Sequence, residues 1–392
     1  MLARLWVLVT QGSAICIYMN DINILFFELI RVAIGTQLSL SRQPSPKEWA
    51  ALYDIAKKQS LVGVCFAAVQ KLNSSNPSNT SNLSELQYLT WMGMTAKIQQ
   101  RNETVNRQCV ELQAKLSADG LRSAILKGQG VVSLYCEHLR GLRQSGDIDI
   151  LAWKDGFSCK ENKRAIIEWA RNMGTDDQGS KHHISVPIYE DTEVELHYTA
   201  TYICNPFANI RMQKWLGENI KTITTKNALI VPDTRFNIVF MLSHTFRHYM
   251  SEGVGLRQLM DYYFVLRTLS NSSSSTCSAQ RFTGENLKMT LDSLNMLKFA
   301  SAVMWIMKEV LGMEKQFMIC EPNERLGRKL LAHVMQGGNF GHHNKGTVVS
   351  KNSHIGMFVN QLYHDLSIAF DYPCEAIWAP LAMIRNFVRL HK

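Results

Sequence analysis

The run Gly146-Asp147-Ile148-Asp149-Ile150 constrains this chain more than any other stretch. Its alternation and β-branched residues continue to Trp153, which predicts a strand over 147–153. Side chains two apart on a strand share a face. Asp147 and Asp149 therefore point two carboxylates to one side of a sheet. Two acids so placed can share a pair of divalent cations about 4 Å apart, which activate an attacking hydroxyl and steady a leaving pyrophosphate. Magnesium suits such a site, since it takes a few carboxylates plus substrate phosphate oxygens. A lone Asp-x-Asp also occurs in solvated loops and in glycosyltransferases, so its neighbours have to decide.

Two neighbours bear on it. Upstream, Ser123-Ala124-Ile125-Leu126 reads as a short strand that ends at Lys127-Gly128, with a helix predicted over 130–138. A glycine between strand and helix lets backbone approach a phosphate, and a helix N-terminus favours the anion. The same residues also fit an ordinary strand-to-helix turn. Downstream, strands over His183–Tyr189 and Glu193–Thr199 flank the turn Glu190-Asp191-Thr192 and predict a hairpin. In Val194-Glu195-Leu196-His197, Glu195 projects to the same side as Glu193 and His197. A buried acid needs a partner, and a metal is one; a solvent-facing acidic edge is the other reading. Lys127, Arg140 and Arg143 stand shortly before Asp147 in sequence and suit a triphosphate, or are surface cations.

Around this middle third the chain is helical. Residues 22–35 carry Ile22, Leu25, Phe26, Leu29, Ile30 and Ala33 on one face. Ser45, Pro46 and Glu48 form a capping box with proline at the first helical position. Helices are predicted from there, over 60–72, and from about Ser84 to Ser117. Asn73 to Ser84 reads as a polar loop. Residues 160–173 look helical through Ala165, Ile166, Trp169 and Ala170. From Asp233 helices resume, with breaks at Ser270 to Ser278 and Gly337 to Ser353. The expected architecture is α+β: a small mixed-sheet core over 120–225, flanked by helical regions over 19–119 and 226–392.

The chain has 392 residues, a 46% hydrophobic composition and a formal net charge of +9. The charge suits a phosphate-rich partner, or simply a soluble basic surface. Its nine cysteines form no Cys-x-x-Cys pair and no framework, which points to free thiols in a reducing, cytoplasmic setting. No apolar run approaches the ~20 residues that cross a bilayer, so no membrane partner is expected. Residues 1–18 fit neither a full signal peptide nor the helix that follows, and read as a start codon placed too early.

Taken together, the Lys127-Gly128 turn, the Asp147/Asp149 strand and Glu195 on a later strand resemble the DNA polymerase β-like nucleotidyltransferase superfamily. The resemblance narrows to the bacterial group known as uncharacterised nucleotidyltransferases. It is carried by Leu126-Lys127-Gly128, Leu134-Tyr135, Arg143, Gly146-Asp147-Ile148-Asp149-Ile150, Val194-Glu195-Leu196-His197, His244-Thr245-Phe246-Arg247-His248, Arg257 and Asp261, across about 22–270. It implies Mg2+ (or Mn2+) on Asp147, Asp149 and Glu195. It also implies an NTP held near Lys127, Gly128, Arg143 and Gly146, and transfer of a nucleoside monophosphate to an acceptor hydroxyl with release of pyrophosphate. The acceptor stays open among a small molecule, a sugar, a protein side chain and RNA, and superfamily members that act as toxins on tRNA keep RNA in view. This chain departs from the wider pattern in having Gly128-Gln129 at the turn, a longer spacing to Asp147, and Glu as the third acid.

Arg140, His183, His197, His244 and His248 are further candidates for substrate contact. His244 and His248 stand at i and i+4, a spacing that also binds zinc, but no third ligand stands nearby in sequence. Arg257 and Asp261, again at i and i+4, read as an ion pair on a helix surface or between domains. A non-catalytic protein on the same fold and an Asp-x-Asp glycosyltransferase are the competing readings. All three acids are present, against the first, and no doubly wound βαβ series is seen, against the second.

Overall fold

A computed structural model describes residues 20–220, 223–226, 228–251, 253–269, 284–338 and 368–381. The readings of 1–18, Ser270–Ser278 and most of the 337–353 break lie outside them. The first helix, α1 (Asp21–Ile34), starts on Asn20, whose side chain accepts from Asn23 N, and ends on Gly35 at φ +84°. Helix α2 (Pro46–Lys58) has the expected capping box. Helix α3 (Val62–Ser75) runs further than expected, and a 3-10 turn over Pro77–Thr80 takes up more of the stretch read as a loop. The polar side chains explain this: Asn76 caps the turn through Ser78 N, and Thr80 Oγ1 donates to Asn73 Oδ1. Helix α4 (Glu85–Ala118) opens on a Ser84–Gln87 capping box.

Strand β1 (Arg122–Ile125) leads to a single helical turn, α5 (Gln129–Val132), and then a 3-10 turn (Glu137–Leu142). This corrects the helix expected over 130–138. The chain here closes i→i+3 bonds, Leu134 N to Val131 O and Tyr135 N to Val132 O, so it winds too tightly to continue as an α-helix. Strand β2 (Ile148–Trp153) and helix α6 (Cys159–Asn172) follow. Strands β3 (His183–Ser185) and β4 (Val194–His197) are shorter than predicted, and the hairpin loop between them is longer than three residues. Its Asp191 and Thr192 side chains bond to Gln108 of α4 rather than closing a tight turn.

The sheet order is β1-β2-β4-β3. Strand β2 is antiparallel to β1 and parallel to β4, with Asp149 opposite Glu195. Helix α7 (Pro206–Asn219), a β5–β6 ribbon (Ile223–Lys226, Leu229–Pro232) and helices α8 (Thr234–Ser251) and α9 (Leu256–Leu266) complete the surround. Helices α10 (Gly284–Ser293), α11 (Leu297–Glu309), α12 (Glu324–Gly337) and the short α13 (Pro373–Ala376) finish the described chain.

The fold is thus α+β, a small mixed sheet between helical flanks. One apolar core runs through both flanks, from Leu25, Phe26 and Trp49 to Phe264, Phe299 and Leu331. A second lies between the sheet and α4 and α6, around Ile125, Ile150, Ile166 and Leu196. Gln59 stitches the flanks together, donating to Val334 O at 3.0 Å and accepting from Leu256 N at 2.9 Å. The described cysteines are all free. Among the described residues no helix is long and apolar enough to cross a membrane.

Candidate functional site

The site forms where β1 ends beside the middle of β2. Leu126 N still bonds to Asp149 O at 2.9 Å, and the chain then turns through Gly128 at φ +49°, ψ −120°. That backbone conformation is closed to side chains with a Cβ. Behind it, a Cβ on Gly130 would stand 2.5 Å from Ile125 O, so the turn also needs glycine to pack on the strand. The result sets Lys127 against the acids of β2. Its ammonium is 3.1 Å from Asp149 Oδ2 and 4.0 Å from Asp147 Oδ2.

On the other side of Asp149 lies β4. Parallel pairing sets Glu195 directly across from it, and His197 follows two residues later on the same face. His197 Nε2 is 3.1 Å from Asp149 Oδ1 and 3.3 Å from Glu195 Oε2. His183 Nδ1 approaches Glu195 Oε2 at 3.0 Å, at ion-pair distance rather than as an aligned hydrogen bond. Asp149 is 3% exposed and His197 1%. Charges this deep persist only when partnered. Here each of the inner carboxylate oxygens named faces a nitrogen.

The ionisation of these groups follows from that crowding. Burial works against charge on Lys127, but Asp149, Asp147 and Glu195 outweigh it and hold the ammonium above its usual range. Burial likewise opposes ionisation of Glu195, and the neighbouring His183 and His197 overcome it, holding the carboxyl well below the usual range. His197 is raised, because its bonds to Asp149 and Glu195 outweigh its burial. Asp147 is raised by the Asp149 charge first and by burial second. His244 is lowered by burial and by Lys127 nearby.

Helices α8 and α9 roof this cluster. A narrow cleft remains between Lys127, Gly128, Gly146, Asp147 and Asp149 below and Met241, His244, Arg257 and Gln258 above. It leaves about 30 Å³ of free volume, room for about one water. Arg257 hangs over the cleft and donates to Gln144 O at 2.8 Å. Burial, then the Arg143 charge, push its guanidinium down to about 10, so it stays cationic at neutral pH.

The expected residues fall into distinct groups. Lys127, Asp147, Asp149, Glu195, His183 and His197 converge. Gly128, Gly146, Arg143 and His244 line the cleft, and a Cβ on Gly146 would stand 3.8 Å from the Arg257 guanidinium. Arg140 is not brought there: it is exposed and its Nε donates to Tyr135 O. Glu193 is exposed at the mouth of β4. His248 is buried beside His244, their Nε2 atoms 2.9 Å apart, and neither belongs to a metal-ligating group among the described residues. Such groups there are Asp149, Glu195 and His197, and His182, His183 and His197.

The surface placement of Arg257 and Asp261 is corrected: both residues are buried, and Asp261 also grips Arg143, with two bonds of 2.7 Å in a forked pair. Tyr135 Oη adds a third bond to Asp261 at 2.5 Å. Arg143 and Asp261 both belong to the pattern that carries the family resemblance, but nothing local in the sequence pairs them. Sequence reasoning also gave no role to Met241, Gln258 or His182, whose signals are non-local.

A profile of a family described as uncharacterised nucleotidyltransferase matches residues 45–312, well over half of the chain. The chain belongs to this family. The match covers the whole sheet and both roofing helices, so the carboxylate cluster and its cleft lie within the shared region. No curated protein and no solved structure matches it.

Proposed function

We propose that this nucleotidyltransferase moves a nucleoside monophosphate from an NTP to an acceptor hydroxyl and releases pyrophosphate. The observation that carries the reading is the register of β2 and β4, which sets Asp149 across from Glu195 with Asp147 at the strand entrance. The donor set fits a divalent cation, because buried carboxylate oxygens converge and already draw cationic side chains to within about 3 Å. Asp147, Asp149 and Glu195 would hold Mg2+ or Mn2+, which when bound neutralises phosphate charge and makes the acceptor hydroxyl more acidic.

The protein's own groups do the rest. Lys127 and Arg257 flank the cleft and offer positive charge to the β- and γ-phosphates. The acceptor oxygen attacks the α-phosphorus, the bond to pyrophosphate breaks, and Glu195 takes up the hydroxyl proton. The acceptor side is proposed along the same sheet face, where Leu151 and Trp153 continue the line of Asp149. They border a second cavity of about 1120 Å³. On its wall the Lys163 and Lys181 ammonium groups lie 4.2 Å and 4.8 Å from the ring centres of Tyr198 and Tyr202. That lining suits an acceptor with flat rings and negative charge.

Incubation with each labelled NTP and Mg2+ or Mn2+ tests the reading. Pyrophosphate release by the wild-type chain, lost by at least 100-fold in Asp149→Ala, is the expected result. Neither release nor nucleotide binding in the wild type would overturn it.

A further inference from the structure

His197 is placed to do more than balance charge. It stands two residues beyond Glu195 on one strand, and Glu195 pairs in register with Asp149 on the next. Two neighbouring strands thus deliver two carboxylates and one imidazole to a single point. Their ligand atoms all lie within 4.8 Å of one another. The imidazole is fixed before anything binds. It is 1% exposed, and the rings of His182 and His183 pack edge-on against it at 5.2 Å. Its Nε2 is the atom directed between the two carboxylates.

The chemistry of such a set differs from that of three carboxylates. Mg2+ is hard, wants oxygen and sheds its water reluctantly, so a buried imidazole serves it badly. Imidazole nitrogen is a good donor to divalent first-row transition ions. We infer that the cation held by Asp149 and Glu195 takes His197 Nε2 as a nitrogen ligand, and that the site thereby prefers a first-row transition ion such as Mn2+ over Mg2+. The inference rests on the proposal that these two acids hold the cation, and it assigns His197 a place in the ligand set rather than a contact with substrate.

The alternative is that His197 is a built-in counter-ion that an entering metal must displace. The two make opposite predictions for His197→Gln. A ligand that is lost weakens Mn2+ binding, by at least tenfold, and leaves Mg2+ binding within about threefold. A counter-ion that is lost strengthens the binding of both ions.

The experiment uses the full chain without nucleotide. Free Mn2+ is followed by its paramagnetic resonance, and Mg2+ by competition against it. Wild type should bind Mn2+ at least tenfold more tightly than Mg2+, with the preference shrinking in His197→Gln. Pulsed paramagnetic resonance of bound Mn2+ should show directly coupled nitrogen in the wild type. The coupling should survive in His183→Gln and vanish in His197→Gln. The wild-type spectrum needs no variant, so it decides even if His197→Gln does not fold. Bound Mn2+ with no nitrogen coupling, or coupling that disappears only in His183→Gln, overturns the inference while leaving the cation site in place. No Mn2+ binding at all overturns the underlying reading of Asp149 and Glu195.

Discussion

Lys127 shows how a residue expected to meet a substrate can first serve the protein. Its ammonium lies against both aspartates, with a side chain 15% exposed. Removing it leaves Asp149 buried with one cationic partner in place of two. Breaking a buried pair costs 3–5 kcal/mol, and His197 still holds the other oxygen of Asp149, so Lys127→Met should lose about 3 kcal/mol in metal-free buffer. Added divalent cation would occupy the vacated charge and restore part of that loss. Urea unfolding with and without Mn2+ checks both halves; equal losses in the two buffers would show that Lys127 does not compete for the cation's place. The type of each residue here was legible in the sequence, because Asp-x-Asp on an alternating strand is a local pattern. The partner of each was not, because which nitrogen meets which oxygen depends on strands about 50 residues apart.

At the level of elements, the anchor is the forked pair between Arg143 and Asp261. Arg143 belongs to the segment that leads into β2, and Asp261 to the middle of α9. Asn102 of α4 holds the same segment from behind, donating to Gly141 O and Arg143 O at 2.7 Å each. Three elements thus fix where Asp147 begins. Asp261→Asn keeps the size but leaves the Arg143 guanidinium buried without a carboxylate. Its cost should be about 3–5 kcal/mol, read as a lower urea midpoint, with a matching loss of nucleotide affinity if the lead-in to Asp147 loosens. A variant that loses stability yet keeps full affinity would show that the anchor serves folding alone. Capping boxes at Ser45 and Ser84 made the helices readable, since their signals lie within one turn. The stretch after Gly128 read as a helix over 130–138. The i→i+3 winding of Leu134 and Tyr135 onto Val131 and Val132 is not a periodicity. For the same reason Asp261 read as a partner of Arg257, its neighbour one turn away, while its forked pair with a residue 118 positions upstream left no local trace.

Across the whole molecule, the last described segment is clasped to the loop before α7 by a buried carboxylate. Glu375 of α13 is 5% exposed and accepts from Cys204 N at 2.8 Å and Asn205 N at 3.2 Å. Cys204 also lines the larger cavity, so this clasp braces the wall on the proposed acceptor side. Burial outweighs those two bonds and pushes the Glu375 carboxyl up from 4.5 to about 7. The folded chain therefore binds this proton more tightly than the unfolded chain does. Its contribution to stability is fully present below about pH 4.5 and is lost as pH rises toward about 7. That span corresponds to about 3 kcal/mol. Glu375→Gln stays neutral throughout and keeps one oxygen for the backbone donors. Wild type and variant should unfold at nearly the same denaturant concentration at pH 5, with the variant ahead by about 3 kcal/mol at pH 8. A gap that stays constant across that range would mean that Glu375 does not titrate with folding. If instead the gap opens as expected, the clasp is weakest where the carboxylate is ionised, and the cavity wall it braces should exchange its backbone hydrogens faster at pH 8 than at pH 5, after correction for the intrinsic rate.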